Sequence, residues 1–158
     1  MFFSYMVITF LVTAMIVQVK PWYTPQYFIP LGGMVIGNSM NAIAIALERL
    51  LSEIRKRRGE VELFLCLGAT YAESTESIVR TSIKAGMIPS INSMMAVGVV
   101  FIPGMMTGQI LAGVDPMISI KYQIVVMLML VGSTSLGSIL TVFIMRKLSF
   151  TPAHQLRI

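Results

Sequence analysis

Four long apolar runs, separated by short polar segments, constrain this chain more than any other feature of its sequence. The runs cover residues 2–19, 28–47, 91–111 and 118–145. Roughly 20 apolar residues in a helix are needed to cross about 30 Å of hydrocarbon, and each run has about that length. The pattern therefore predicts an all-α fold, a polytopic transmembrane helical bundle with about four spans.

The composition agrees with lipid as the main solvent of the chain. Of its 158 residues, 56% are hydrophobic and only 12% are charged, and the mean hydropathy is +0.81. A soluble domain carries about 25% charged side chains, so this composition excludes a disordered or an ordinary soluble protein. The net charge of +5 does not indicate a nucleic-acid partner, because basic residues cluster beside an apolar run at Arg55–Arg58. Such clusters are typical of the cytoplasmic side of a membrane protein.

The basic residues also predict the orientation of the spans. Residues 48–90 and the pair Arg146-Lys147 both follow apolar runs, and they should both remain in the cytoplasm. Two predicted spans separate these basic clusters, and an even number of crossings returns the chain to the same side of the membrane. By the same count, the N-terminus is expected in the cytoplasm as well. A signal peptide is the alternative for the first run, but that run lacks a basic leader and a small-residue cleavage site.

Residues 48–90, called the coupling segment below, are the polar centre of the chain. They contain six of its seven acidic residues. Glu53 and Arg57 have the spacing and order of a favourable helical ion pair. The segment predicts two amphipathic helices joined at a break, and such a helix–turn–helix could dock on a partner. An ordinary cytoplasmic loop with capped helices is the alternative.

The break in the coupling segment is predicted by residues that favour helix ends. Gly68 can end the first helix, since glycine tolerates the left-handed conformation of a C-cap. Thr70 and Glu73 fit a capping box at the start of the next helix. That second helix is expected to stop near Gly86–Pro89.

The sequence contains no motif of a nucleotide-binding or hydrolytic site. It has no G-x-x-x-x-G-K-[ST], no H-E-x-x-H and no G-x-S-x-G. A single cysteine, Cys66, and a single histidine, His154, provide neither a disulfide nor a zinc site within one chain. We therefore expect a protein that is not an enzyme and that needs no cofactor, with Cys66 making a small apolar contact.

Two sets of motifs carry a resemblance to a known family. The first resembles the EAA loop of ABC-transporter permeases, which rests on the ATPase subunit, and comprises Glu60-Val-Glu62, Leu67-Gly-Ala-Thr70, Arg80, Ala85-Gly86 and Pro89. The second resembles the Fet-type iron-export permease family, whose plant relatives are associated with aluminium tolerance and UDP-glucose transport. It comprises Gly33–Asn41, Gly86–Ser93, Pro103–Pro116 and Ile120–Gln123.

The resemblance implies the permease subunit of an ABC exporter in a bacterial inner membrane, working with a separate ATPase and a second permease copy. Family members have further spans before the position where this chain begins, so the chain is expected to be the C-terminal portion of such a permease. The implied ATPase-coupling residues are Glu60, Glu62, Leu67, Gly68, Ala69, Thr70, Glu73 and Arg80. A permease for a sugar nucleotide, a non-transporting scaffold subunit and a small nucleotide-independent pore are alternatives.

Polar residues inside the apolar runs are candidates for a translocation path. Asn38 and Asn41 share one helical face, where they could line the path or simply form hydrogen bonds between helices. Thr107 and Gln109 lie beside Pro103-Gly104, where a kink or broken helix is expected and freed carbonyls could face a cavity. No carboxylate lies within any predicted span, so we expect no metal site of acidic ligands.

Small and sulfur-containing residues are best explained by packing. Glycines four positions apart allow helices to approach closely in lipid, and they occur as Gly33 with Gly37 and Gly104 with Gly108. A role in gating is the alternative. The 14 methionines favour flexible helix packing, since thioether sulfur prefers Cu(I) to Fe(III). Asp115 is interpreted as part of an Asp-Pro turn rather than as a cation ligand.

Overall fold

The described part of the chain folds mainly into α-helices. A computed structural model describes residues 25–100, 102–151 and 155–156. Its helices are α1 (Pro25–Lys56), α2 (Arg58–Cys66), α3 (Tyr71–Ser74), α4 (Glu76–Ala96), α5 (Gly104–Leu111) and α6 (Pro116–Leu148). No strand occurs within these ranges, although an isolated antiparallel bridge joins Phe150 and Leu156. The predicted all-α fold is confirmed, while the predicted span at residues 2–19 lies outside the described residues.

Among the described residues, two helices are long and apolar enough to cross a membrane, by length and composition. They are α1 from Gly32 to Lys56, which contains an 18-residue stretch with a mean hydropathy of 1.2, and α6, which contains one with a mean hydropathy of 2.0. These helices cover the predicted spans at residues 28–47 and 118–145. The side chain of Asp115 caps α6 by accepting a hydrogen bond from the Met117 N–H at 2.7 Å. Asp115 therefore acts as the N-cap of α6, next to the turn at residues 112–113.

The third predicted span, residues 91–111, is divided between two helices. Helix α4 ends at Ala96, and α5 begins only at Gly104, with Pro103 at its N-cap. The expected break is therefore present. The expected helix end near Gly86–Pro89 is wrong, because α4 continues through Pro89 to Ala96. A proline removes only one hydrogen bond from a helix, and packing against neighbouring helices can hold the helix together.

Helices α1, α4 and α6 form the core, with α4 antiparallel to the other two. One cluster of buried side chains lies where α1 and α6 end and α4 begins, and we call it the packed end: Ala46, Leu50, Ile54, Val61, Ile78, Val79, Val142 and Phe150. A second cluster lies toward the starts of α1 and α6, and we call this region the open end: Val35, Val126, Met129 and Leu130. Helix α4 is 21 residues long, so it extends about 31 Å between these regions.

Two glycines allow the core helices to approach closely, and neither belongs to the predicted pairs. A Cβ atom on Gly86 would lie 2.7 Å from the carbonyl oxygen of Ala42 and 3.2 Å from Ser138 Oγ. A Cβ atom on Gly137 would lie 3.1 Å from Ile43 Cδ1. By contrast, apart from the backbone of its own helix and its chain neighbours, no described atom lies within 4 Å of such a Cβ position on Gly33, Gly37, Gly104 or Gly108. The packing role that the sequence assigns to those four glycines is thus filled within the described chain by Gly86 and Gly137.

Candidate functional site

The turn between α2 and α3, residues 67–70, is fixed by its own backbone and is called the coupling turn below. Gly68 adopts a φ of +92°, which a residue with a side chain rarely does. Its N–H donates to the carbonyl of Leu65 at 3.1 Å, and the Ala69 N–H donates to the carbonyl of Phe64 at 3.0 Å. This pair of bonds is a Schellman motif, and it confirms that α2 ends at a glycine cap.

The second half of the coupling turn is fixed by the predicted capping box. The Glu73 N–H donates to Thr70 Oγ1 at 3.3 Å, and the Thr70 N–H donates to Glu73 Oε2 at 2.8 Å. The Thr70 hydroxyl donates to the same carboxylate oxygen at 2.8 Å. The hydrogen bond from the backbone N–H of Thr70 has the largest effect on the pKa of Glu73 and lowers it below its usual 4.5, and the hydrogen bond from the Thr70 hydroxyl lowers it further. The carboxylate therefore remains charged while it caps α3.

Aromatic contacts attach Tyr71, the residue after the coupling turn, to the end of α6 and to Phe150 just beyond it. The rings of Tyr71 and Phe150 lie 5.8 Å apart between centroids. The guanidinium of Arg146 lies 5.6 Å from the centroid of Tyr71 and 4.7 Å from that of Phe143. A cation over aromatic faces is attracted by the ring quadrupole, so Arg146 joins α3 to the last turn of α6. A displacement of the coupling turn would therefore act directly on α6.

The outer surface of the coupling turn is apolar and exposed. Leu67 is 75% exposed, Leu63 is 59% exposed and Phe64 is 45% exposed. Cys66 is exposed as well, so the expected apolar contact of this cysteine is wrong, because it lies on the outer surface of α2. An exposed group of large apolar residues at the charged end of a membrane protein is typical of a protein-binding surface.

The structure brings together most of the residues that the sequence predicts for ATPase coupling. Five lie in the coupling turn or in the helix that follows it: Leu67, Gly68, Ala69, Thr70 and Glu73. Glu60 and Glu62 are exposed on α2, where Glu62 accepts from Arg58 at 2.8 Å. Arg80 is exposed on α4. The predicted ion pair of Glu53 with Arg57 is confirmed at 3.1 Å.

The four candidate path residues do not meet in one place within the described chain. Asn38 is exposed and donates to the Met34 carbonyl of its own helix at 2.8 Å, and Asn41 is also exposed on α1. The Thr107 hydroxyl donates to the Pro103 carbonyl at 3.2 Å. Gln109 Oε1 is buried and has no partner among the described residues. The polar path that the sequence predicts therefore stays a prediction.

A cavity at the open end contains a polar residue that sequence reasoning did not select. The cavity has a volume of about 470 Å³ and lies between the end of α4, residues 97–98 and 102–103, α5 and α6. Gln123 lines it, is only 4% exposed, and has no hydrogen-bond partner for either amide atom among the described residues. Two features of the sequence could have drawn attention to Gln123. It is an amide within the long apolar run of α6, and it belongs to the stretch Ile120–Gln123 that carries the family resemblance.

Comparison with known proteins identifies relatives along most of the chain. A family model described as "Uncharacterised protein family (UPF0014)" matches residues 1–150. The UPF0014 membrane protein slr1647 of Synechocystis sp. is 47% identical over 124 residues, which are 78% of this chain and 48% of that protein. No solved structure matches the chain.

Two further relatives have names that refer to metals. The probable iron export permease protein FetB of Escherichia coli is 37% identical over 134 residues, which are 85% of this chain and 52% of FetB. The Arabidopsis thaliana protein ALUMINUM SENSITIVE 3 is 36% identical over 135 residues, which are 85% of this chain and 50% of that protein. The chain spans about half the length of the curated relatives it matches.

Proposed function

The chain belongs to the UPF0014 family of membrane proteins, and from this premise we propose that it is the permease part of an ABC-type exporter of a metal ion. Family membership confirms the resemblance found in the sequence, and the protein is a multi-pass membrane protein. Iron is the proposed cargo, because one relative is named a probable iron export permease. Two permease copies in the bacterial inner membrane and a separate ATPase would complete the transporter.

The observation that carries this proposal is the coupling turn with its exposed apolar surface. A Schellman motif and a capping box fix residues 67–70, so the turn can transmit force without first deforming. Leu67 is exposed in the turn, and Phe64 is exposed beside it on α2. An ATPase subunit with an apolar groove would cover these side chains and remove them from water.

The contacts of the turn suggest how ATP could drive the spans. Closure of the ATPase dimer on ATP would displace residues 67–70. Tyr71 would pass this movement to Arg146 on α6, and Val61 would pass it to the packed end and thereby to α1 and α4. Because a well-packed core moves as a unit, the helices would tilt together and change the shape of the open end, which would face one side of the membrane before the movement and the other side after it.

A pair of substitutions at Gly68 tests this function. Gly68→Val disfavours the φ of +92°, whereas asparagine tolerates the left-handed conformation better, so Gly68→Asn is the matched control. No described atom lies within 4 Å of an added Cβ atom, so neither variant introduces a clash there. Each form would be co-expressed with candidate ATPase subunits of the same genome. We expect Gly68→Val to lose co-purification and metal export, and Gly68→Asn to retain both.

Three results would contradict the proposal. Unchanged ATPase binding and export in the folded Gly68→Val variant would remove the coupling turn from the mechanism. ATPase binding without any change in cellular metal content when the permease is deleted would favour a scaffold subunit. Ion flux through the purified chain in liposomes without nucleotide would favour a pore.

A further inference from the structure

One exposed face of α4 carries two cations at its start and apolar side chains along the rest of its length. Residues three or four positions apart share a face of a helix, and this face, called the α4 stripe below, comprises Arg80, Lys84, Ile88, Ile91 and Met95. All five side chains are exposed. The buried residues Ser82 and Gly86 lie on the opposite face of α4, where they pack into the core.

The level of the α4 stripe in the membrane follows from the contact between α4 and α1. A Cβ atom on Gly86 would lie 2.9 Å from Ala46 Cβ. Because the two helices are antiparallel, Lys84 and Glu48 each lie two residues from this contact, on the side of the coupling segment. Glu48 is the first charged residue after the second apolar run, so Lys84 lies at the boundary of the hydrocarbon. Arg80 lies about 6 Å further out, within a headgroup layer that is about 5–8 Å thick.

The apolar part of the α4 stripe has about the length of one lipid leaflet. Ile88 lies four residues beyond Lys84, and Met95 lies eleven residues beyond it. These separations correspond to about 6 Å and about 17 Å along the helix. Half of the hydrocarbon core is about 15 Å thick. An acyl chain whose phosphate lies at Lys84 could therefore contact the stripe from the membrane boundary to the middle of the bilayer.

The two cations of the α4 stripe have no acidic partner in the described chain. Other arginines near this end of the molecule form ion pairs with Glu53 or Glu62, but neither Arg80 nor Lys84 forms an ion pair with a described residue. Like charges four residues apart on a helix repel each other. A phosphate diester between them would relieve this repulsion and would offer acceptor oxygens for charge-assisted hydrogen bonds. Glu76, the nearest carboxylate before them on α4, lies one turn further from the bilayer.

A second exposed pair of cations, Arg55 and Lys56 at the end of α1, provides a contrast. These side chains also form no ion pair within the described chain. Toward the bilayer, the face of Arg55 continues with Ser52 and Glu48. A carboxylate repels a phosphate, and this polar face offers no surface to an acyl chain. The combination of two cations with an apolar stripe is therefore found on α4 and not on this face of α1.

We propose that the α4 stripe binds an anionic phospholipid of the leaflet on the side of the coupling segment. Its phosphate lies between Arg80 and Lys84, and one acyl chain runs along Ile88, Ile91 and Met95. The bound lipid holds the start of α4 at the membrane surface, beside the coupling segment. Lipid binding depends on the membrane location of the chain and not on transport of a metal. The lipid binds without the making or breaking of a covalent bond.

Quenching of tryptophan fluorescence by brominated lipids tests the proposal. The single tryptophan of the chain would be removed by Trp22→Phe, and one tryptophan would be introduced by Ile88→Trp or, as the matched control, by Leu136→Trp on α6. Ile88 is 52% exposed and Leu136 is 50% exposed. Each lies two residues from the contact of Gly86 with Ser138, toward the open end, so the two positions have similar depths.

The full chain would be reconstituted in vesicles of equal parts phosphatidylglycerol and phosphatidylcholine, with bromine on the chains of one lipid or of the other. For Ile88→Trp we expect about tenfold preference for the anionic lipid, because each basic residue at a membrane surface contributes about 1 kcal/mol to the attraction of anionic lipid. For Leu136→Trp we expect little preference, since α6 has no charged residue between Leu136 and Arg146.

Two double variants with equal charge changes separate a specific site from general attraction to a basic surface. Arg80→Gln with Lys84→Gln should abolish the preference measured at Ile88→Trp. Arg55→Gln with Lys56→Gln removes the same charge and should retain the preference. All four side chains are exposed, so both variants should fold, and thermal unfolding in detergent would verify this.

Each contrary result overturns the proposal in a distinct way. Equal quenching by both lipids at Ile88→Trp would make the stripe a surface for bulk lipid, and no quenching by either would mean that protein covers it. Equal losses in the two double variants would indicate general attraction alone. Competition by glycerophosphoglycerol, the headgroup without chains, at the concentration of the lipid would indicate a simple anion site.

The resemblance to the EAA loop assigns Arg80 to ATPase coupling, and the same variants distinguish that role from lipid binding. If Arg80→Gln with Lys84→Gln lost ATPase co-purification but kept the lipid preference, the lipid assignment would be wrong. A lipid preference that depends on Arg80 and Lys84, measured in a chain that recruits no ATPase, would support lipid binding and contradict the proposed function.

Discussion

The packed end and the open end of this molecule differ in the side chains that form them and in how tightly these side chains pack. At the packed end, Leu50, Ile54 and Val142 have no exposed surface, and side chains from α1, α2, α4 and α6 meet in one cluster. At the open end, the cluster around Val126 is bordered by methionines and adjoins residues that line a cavity. A close-packed core transmits displacement, whereas flexible methionines can repack around a changing space.

This difference suggests that the two ends of the same three helices have different roles in transport. The packed end would receive force at the coupling turn, and the open end would change shape in response. Substitutions that damage the packed end should therefore cost stability, while those at the open end should be tolerated by the fold. The following experiments compare the two ends, beginning with the largest expected effect.

Gly86→Leu should have the largest effect, because the side chain has no space between α4 and α1. Its Cβ atom alone would lie 2.7 Å from the Ala42 carbonyl oxygen and 2.9 Å from Ala46 Cβ. Overpacking a core costs typically about 1–3 kcal/mol for smaller insertions, and a backbone atom cannot rotate away. We expect little folded protein by size-exclusion chromatography. Gly132→Ala is the control, since no described atom lies within 4 Å of its added Cβ, and it should fold normally.

Truncation at the two ends should have unequal effects. Leu50→Ala at the packed end should lower the free energy of unfolding by about 2–5 kcal/mol, since Leu50 has no exposed surface. Met129→Ala at the open end should cost less, because the neighbouring Met34, Met105 and Met127 can shift into the space. Thermal unfolding in matched detergent would compare them. Equal losses would contradict the difference between the ends.

The link between the coupling turn and α6 should have a smaller effect on stability. Arg146→Gln removes the cation from the rings of Tyr71 and Phe143, and we expect a loss of about 1 kcal/mol. Lys147→Gln is the matched control, since Lys147 is exposed in the same last turn of α6. A distinctive outcome is expected in the reconstituted transporter, where Arg146→Gln should reduce export per ATP hydrolysed. Identical coupling in both variants would exclude Arg146 from force transmission.

The capping box at the coupling turn should have the smallest effect, and it should depend on pH. Folding lowers the pKa of Glu73 from 4.5, so its charge stabilises the folded state above pH 4.5. That contribution is lost as the pH falls through the lower, folded-state pKa. Glu73→Gln should abolish this acidic component of the pH-stability profile, and Thr70→Ser should retain it. A profile that is identical for Glu73→Gln and the unmodified chain would contradict the role of the carboxylate.

Features set by neighbouring residues could be predicted from the sequence. Gly68 ends α2, and Thr70 pairs with Glu73, because each of these interactions closes within a few positions of the chain. The apolar length of α6 similarly follows from counting residues. Local signals of this kind depend little on the rest of the fold.

Features set by contacts between distant elements could not be predicted in the same way. Gly86 resembled a helix end, but its role depends on the approach of Ala42 and Ser138 from two other helices. In the sequence, Gln123 is simply a polar residue within an apolar run. That its amide has no hydrogen-bond partner among the described residues can be seen only from the positions of the neighbouring helices in the structure. For the same reason, the sequence did not reveal that Gly86 meets neighbouring helices, whereas Gly33 and Gly104 meet none of the other described elements.

The position of the coupling turn relative to the bilayer is the most direct test of the central claim. Cys66 is exposed beside the turn, and it is the single cysteine of the chain, so it can be labelled without any substitution. A membrane-impermeant maleimide should label Cys66 in inside-out vesicles but not in intact cells. Cys66→Ser combined with Val114→Cys should show the opposite pattern. Labelling of Cys66 from outside intact cells would place the turn away from ATP and contradict the account.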